Sequence, residues 1–490
     1  MDTKLLKHKI LDLAIHGKLV PQYPNDEPAS KLLEKIREEK QKLIAEKKIK
    51  ADKNDSYIFV GDDNRHYEKF ADGTVKDIED EIPFEVSEGW AWCRLGSYLD
   101  VRDGTHDSPK YVEKGYPFVT SKNLVDGKID FSSVQYISEK DHNEFIKRSL
   151  VEDGDILFAM IGSIGNPVLV KKDREFSIKN VALFKPYSKE NTFMEYVLYF
   201  LIFIQESLRV QAKGGMQPFI PLSFFRKDLL IPLPPVNQQK IIVAEIKKIF
   251  TQINSLETDK IALQTVIKQA KSKILDLAIH GKLVPQNPSD EPASLLLEKL
   301  REEKEAKIKA GELKRDKNDS YIYKNTTDNC YYQKFANGTE TDISDEIPFN
   351  IPNNWNWCLG IEIFNPMKSR KPTGDTFRYI DIETIDNKKH KVVKPKVLSV
   401  SDAPSRASRE VSTGDVLFSL VRPYLENIAL INEENQDCIA STGFFICKPN
   451  EVINPNYLFF LMTSNYVVQG LNQFMKGDNS PSEKVNFRTV

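Results

Sequence analysis

The chain has 490 residues, 40% hydrophobic and 29% charged, with 22 Gly and 26 Pro; this excludes a wholly disordered or collagen-like chain and allows about two to four domain-sized cores. No apolar run approaches the ~18–20 residues that span a bilayer, the opening MDTKLLKHKILDLAIHGK lacks a signal peptide's cleavage site, and five cysteines without a CxxC pair predict a reducing cytoplasm rather than a disulfide or zinc scaffold. The net charge of −2 hides an uneven distribution: residues 54–89 hold 3 basic and 11 acidic side chains and residues 318–354 hold 2 and 6, so the rest is basic, a footprint for phosphate only if it gathers on one face.

In chain order, the first predicted element is a helix ending a heptad seam, with Leu6, Ile10 and Leu13 on it. Its sequence occurs twice. Residues 10–30 read ILDLAIHGKLVPQYPNDEPAS and residues 274–294 read ILDLAIHGKLVPQNPSDEPAS, differing only at Tyr23/Asn287 and Asn25/Ser289. The match runs at an offset of 264 to DKNDSYI (52–58 and 316–322), then after one inserted residue to EIPFEVSEGWAWC (81–93) and EIPFNIPNNWNWC (346–358). A repeat this long is a duplicated module rather than a solenoid unit. Two near-identical frames therefore carry two different inserts, a device for reading two things at a fixed separation.

Within each frame, Gly17 and Gly281 are placed as helix C-caps with Pro21 and Pro285 beyond them. Ser30 and Ser294 are placed as N-caps of second, charged helices. His16 and His280 lack partners at ligand spacing and read as structural. The inserts, about 94–230 and 359–490, each have short strand-like runs, clearest in GDILFAMIGSIGNPVLV (154–170) and GDVLFSLVRPYLENIAL (414–430). Each also has one apolar helix candidate, at 194–208 and 455–467.

IPLPP (231–235) closes the first insert and leads into a long seam helix. Its apolar positions are Ile242, Ile246, Ile249, Ile253, Leu256, Leu263, Ile267, Ala270, Ile274 and Leu277, with one polar break at Lys260. That pattern predicts a coiled-coil helix of roughly 54 Å. The expected fold class is α+β: two mixed α/β domains joined by long antiparallel coiled-coil helices in a pseudo-twofold duplication. The segments are 1–53 (helical), 54–235 (first insert domain with acidic connector), 236–317 (helical spacer) and 318–490 (second insert domain with connector).

The motifs of catalysis are missing. No GxxxxGK[ST] loop, strand-linked GxGxxG, NPP[YF] tetrapeptide, PD…(D/E)xK set, HExxH or paired Cys/His spacing occurs. Gly162-Ser163-Ile164-Gly165 fits a hairpin turn, and Cys93 and Cys358, beside paired tryptophans, fit a core. Polar loops remain, with side chains suited to phosphate and base-edge contacts. In the first insert the candidates are Thr105, His106, Ser108, Lys110, Lys122, Asn123, Lys179, Asn180, Lys213 and Gln217. In the second they are Lys368, Arg370, Lys371, Arg406, Arg409, Arg422, Tyr424, Ser441, Thr442, Lys476 and Asn479. Arginine is favoured because its fork can pair with guanine O6 and N7.

The duplicated LDLAIHGKLVPQ…DEPAS segment, the IPLPPVNQQKIIVAEI junction (231–246) and the GDILF and GDVLF strands resemble the specificity subunits of type I restriction–modification systems. The resemblance implies two target recognition domains separated by helices that pack antiparallel, each reading half of a bipartite site in double-stranded DNA. The helices would set the gap and dock methyltransferase subunits, which bind S-adenosylmethionine and flip the target adenine. A translocase–endonuclease subunit, with ATP and magnesium, would join for cleavage; this chain would hold no metal or cofactor and catalyse nothing. Other readings of the same features are a coiled-coil scaffold holding two protein-binding domains and a silent recombined specificity cassette. One departure stands out: aligning Lys213-Gly214 with Lys476-Gly477 sets Val490 against Lys227, four residues short of a second IPLPP. An apolar stripe along Ile242–Leu256 is therefore expected to lie exposed.

Overall fold

The computed structural model describes residues 2–23, 25–52, 55–213, 218–312, 314–315, 319–472, 475–476 and 480–481. The chain forms two compact units, Met1–Ile261 and Ala262–Val490, each mixing helices and strands.

In unit 1 the helix Thr3–Ile15 ends as its sequence predicts. Gly17 has φ +68°, its N–H donates to Ala14 O, and Lys18 N–H donates to Leu13 O at 2.8 Å. This double closure needs a residue that tolerates the left-handed region. A Cβ on Gly17 would also lie 2.6 Å from Ser87 Oγ. Gly281, φ +64°, repeats the closure with Ala278 and Leu277. His16 Nδ1 lies 2.8 Å from Asp12 O and its ring packs 3.9 Å from Phe84; His280 does the same with Asp276 and Phe349.

The second helices begin two residues earlier than their Ser caps suggest, at Ala29 and Ala293, with Pro28 and Pro292 at the cap positions and no side-chain cap. Their first N–H groups donate instead to Gly89 O and Asn354 O, at 2.8 and 2.9 Å. A backbone carbonyl some sixty residues away does the work of a hydroxyl.

The acidic connectors are folded. Ser56–Val60, His66–Phe70 and Val75–Asp77 form a three-stranded antiparallel sheet, and Ser320–Lys324, Tyr331–Phe335 and Glu340–Asp342 form its counterpart. In unit 1, Leu230–Leu233 of the IPLPP segment pairs antiparallel with Ala91–Arg94. Trp90 Nε1 there donates to Gln22 and Gln238 at 2.9 and 2.8 Å. Among the described residues its counterpart Trp355 donates to Gln286 alone, at 3.1 Å, beside a cavity of about 650 Å³ lined by Leu297, Ile322, Trp357 and Tyr466. Burial raises the thiol pKa of Cys93 and pushes Cys358 up to about 12, as for core thiols rather than nucleophiles.

The first insert hangs on a four-stranded sheet ordered Gly165–Leu169, Ile156–Ala159, Val181–Pro186, Leu99–Asp103. A second sheet pairs Ser177–Ile178 parallel with Tyr116–Val119. In the second insert Ile439–Ser441 likewise pairs parallel with Thr376–Ile380, and Val416–Ser419 is flanked by Ile428–Leu430 and Phe444–Cys447. The turn at Gly162 is a hairpin turn. The helix Met194–Gln211 forms as one piece, whereas the 455–467 candidate breaks into Pro455–Met462 and Asn465–Asn472. Ser464 Oγ donates back to Leu461 O at 2.6 Å at the break.

The long helix spans Val236–Ile279, 44 residues. Its exposed face is not where the sequence places it. Ile242 and Ile246 are fully buried and Ile253 is 3% exposed, because the helix Met194–Gln211 and the first helix supply the cover. Tyr199 and Lys7 both meet Phe250, and Lys247 pairs with Glu195 at 2.6 Å. Ile249 and Leu277 are half-buried; Leu256, Leu263, Ile267 and Ile274 lie open.

Candidate nucleic-acid interface

Both inserts place a short polar link at one topological position, between the strand that pairs parallel and the next strand of the neighbouring sheet. In unit 1 the link is Lys179-Asn180, after Ser177–Ile178 and before Val181–Pro186. In unit 2 it is Thr442-Gly443, between Ile439–Ser441 and Phe444–Cys447.

The unit 1 link is built against the loop after Leu99–Asp103. Gly104 passes so close to it that a Cβ would lie 2.3 Å from Ile178 O, so the position requires glycine. Thr105 N–H donates to Ile178 O and Asn180 N–H to Thr105 O. Asn180 adopts φ +54°, a turn its short amide tolerates. Around this backbone the side chains converge. Lys179 Nζ donates to Ser108 Oγ at 2.6 Å, and the His106 ring lies between Asn180 Oδ1 (2.6 Å) and Asp103 Oδ2 (3.0 Å).

Thr105, His106, Ser108, Lys179 and Asn180 are thus one cluster. Lys122 stands exposed after the partner strand Tyr116–Val119, while Lys110 and Lys213 are exposed elsewhere on loops. Two candidates serve the fold. Asn123 is 4% exposed; it accepts from Thr120 N–H and Oγ1 and donates to Asp130 O. Thr105 is buried and its hydroxyl closes a turn with Asp107. Sequence reasoning missed Arg148 and Asp103. Arg148, in the last turn of Glu139–Ser149, is paired with buried Asp103 beside His106. The basic end of that amphipathic helix was the available signal.

In unit 2, Thr442 N–H donates to Arg406 O at 2.9 Å, and the strand Ala407–Glu410 pairs with Ile439–Ser441. Segment 368–370 lies against that strand through a Ser369–Arg409 bridge. Lys368, Arg406 and Thr442 therefore share one neighbourhood, with Lys371 exposed beside it. The turn that carries Arg422 and Tyr424 follows Leu420, whose N–H donates to Gly443 O at 2.9 Å. Arg370 is spent on the fold, its Nη2 donating to Asp437 O and Cys438 O at 2.6 and 3.1 Å. Ser441 is buried and accepts from Gly443 N–H; Arg409 is half-buried. Gln217, Asn479 and the side chain of Lys476 lie outside the described residues.

Among the described residues no group of three or more His, Cys, Asp or Glu is placed to hold a metal ion, and no helix is long and apolar enough to cross a membrane. The exposed donors of these clusters suit hydrogen bonding to phosphates and base edges.

A family model described as the type I restriction modification DNA specificity domain matches residues 87–265. Among curated proteins, the chain is 26% identical to the Escherichia coli type I restriction enzyme EcoEI specificity subunit, covering 86% of this chain and 73% of that protein. It is also 26% identical to the Escherichia coli EcoAI specificity subunit, covering 89% and 76%. Among solved structures, the HsdS subunit from Thermoanaerobacter tengcongensis is 34% identical over 29% of this chain and 38% of that one, with a TM-score of 0.28. The type I S subunit from M. genitalium is 14% identical over 84% and 86%, also with a TM-score of 0.28.

Proposed function

Because the chain belongs to the specificity subunits of type I restriction–modification systems, we propose that it reads a bipartite site in double-stranded DNA, one half with each insert. The observation carrying this reading is the repeated frame with unlike polar links at one topological position, Lys179-Asn180 in unit 1 and Thr442-Gly443 in unit 2. Equal frames fix two sites; unequal links let them read different bases. Lys179, Asn180, His106, Ser108 and Lys122 are assigned to the first half-site, and Lys368, Arg406, Arg422, Tyr424 and Thr442 to the second. Lys110, Lys213 and Lys371 are assigned to phosphates. The charged helical frames dock methyltransferase subunits, and a translocase–endonuclease subunit completes the cleaving complex. Methyl transfer, with S-adenosylmethionine, and ATP- and magnesium-dependent cleavage belong to those subunits, which makes this chain non-catalytic and places it in the cytoplasm with the DNA.

Duplex binding by the assembled methyltransferase complex is the test. Affinity is expected to fall steeply with salt, and Lys110→Ala, at a phosphate contact, to reduce the log–log slope by about one. Salt-independent association would favour the protein-binding scaffold.

A further inference from the structure

Resting on the assignment of Asn180 to the first half-site, we propose that His106 is a positioning residue that sets which base edge Asn180 reads. With the imidazole charged, the Asn180 amide turns its NH2 to the duplex; with the imidazole neutral, it turns its carbonyl there.

The coupling follows from one chain of contacts. Asp103 is 4% exposed, and its Oδ1 pairs with the guanidinium of Arg148 from the helix Glu139–Ser149. A carboxylate only accepts. The ring nitrogen facing its other oxygen, His106 Nε2 at 3.0 Å, therefore carries a hydrogen in both charge states of the ring. Nδ1 is left as the nitrogen that gains and loses the proton, and it stands 2.6 Å from Asn180 Oδ1. A charged ring donates there, Oδ1 accepts, and the two hydrogens on Nδ2 turn away from the ring. A neutral ring has a lone pair at Nδ1 and needs a donor opposite it. Half a turn of the amide puts Nδ2 there and Oδ1 outside, and because the two ends have the same shape the packing is kept.

The backbone holds Asn180 against the ring. Its N–H donates to Thr105 O at 3.2 Å, and the close approach of Gly104 to Ile178 keeps loop and link together. The His106 side chain is 58% exposed, so the ring exchanges protons with solvent, and histidine is the side chain that changes charge between about pH 5 and 8. The other charged groups on the surrounding elements have partners of their own. Lys179 Nζ donates to Ser108 Oγ at 2.6 Å, Asp107 Oδ2 accepts from Thr105 Oγ1 at 3.2 Å, and Arg102 pairs with Asp100 at 2.7 Å.

In the major groove guanine O6 and thymine O4 accept, whereas adenine N6 and cytosine N4 donate. The charged ring thus selects guanine or thymine at the contacted position, and the neutral ring selects adenine or cytosine. Each edge binds only the competent fraction of the chain. The preference for guanine over adenine is therefore expected to rise by up to about tenfold for each unit that pH falls.

Competition binding by the assembled methyltransferase complex, on duplexes substituted at each base pair of the first half-site, is expected to show this shift at one base pair. His106→Gln, at an exposed side chain, is expected to keep the parent melting curve and lose the shift. Asn180→Asp, which only accepts, is expected to prefer the adenine or cytosine edge at every pH. On the full chain alone, nitrogen NMR of labelled histidine is expected to show His106 Nε2 protonated throughout and Nδ1 titrating. A preference indifferent to pH at every base pair, a shift that survives His106→Gln, or a neutral ring protonated at Nδ1 overturns the proposal. A complex that binds no duplex sequence-specifically overturns the half-site reading instead, and the histidine spectrum then decides the His106–Asn180 coupling by itself.

Discussion

Asp155→Ala is expected to destabilise unit 1 by about 3 kcal/mol, the low end of the cost of breaking a buried ion pair, because Lys185 keeps Glu152 as a partner at 2.8 Å. Asp155 Oδ2 accepts from Glu152 N–H at 2.7 Å and from Lys185 Nζ at 2.6 Å, and the lysine side chain is only 11% exposed. Burial raises the Asp155 carboxyl above the ordinary range, and Lys185 opposes that shift. Asp415 repeats the device in unit 2, with Ser412 N–H at 2.8 Å and Lys448 Nζ at 2.6 Å. The aspartate of the GDILF and GDVLF runs therefore ties a turn to a neighbouring strand. Urea unfolding of each variant measures the loss; midpoints equal to the parent would refute the assignment.

A comparable loss is expected for Arg94→Leu, and here the duplication names its rescue. Arg94 donates to Glu68 and Glu81 at 2.8 and 2.6 Å, with Arg94 and Glu68 buried. At the equivalent places the second frame has Leu359 and Gln333, and Gln333 donates to Ser320 Oγ at 2.9 Å. Ser56, the counterpart of Ser320, already donates to Glu68. Both partners differ together, so the frame accepts either an ion pair or a neutral set. Arg94→Leu alone is expected to cost about 3–5 kcal/mol, and Glu68→Gln added to it to recover most of that. Additive losses in a double-mutant cycle would show that the two positions are uncoupled.

The long helix, the glycine closures and the hairpin at Gly162 are legible in sequence because each depends on residues a few positions apart. The frames' helix starts are not, since Gly89 and Asn354 supply their caps from distant chain. Nor is the covered stretch of the seam: its cover is Met194–Gln211, a helix of the insert that the repeat cannot predict. Site residues divide for the same reason. Asn123 and Asn180 are one residue type in similar polar loops, yet one closes a turn inside the fold and the other stands at a link between sheets. Arg370 and Arg406 differ likewise, because carbonyls at 437 and 438 take the fork of the first.

Each insert is proposed to read one half of a split DNA site. The direct measurement is methylation-sensitive sequencing of DNA from cells carrying this chain with its methyltransferase, before and after residues 94–230 are exchanged for another family insert. A two-part modified motif is expected, in which the exchange rewrites one half and leaves the other half and the gap unchanged. A continuous motif, or an exchange that rewrites both halves, would contradict it.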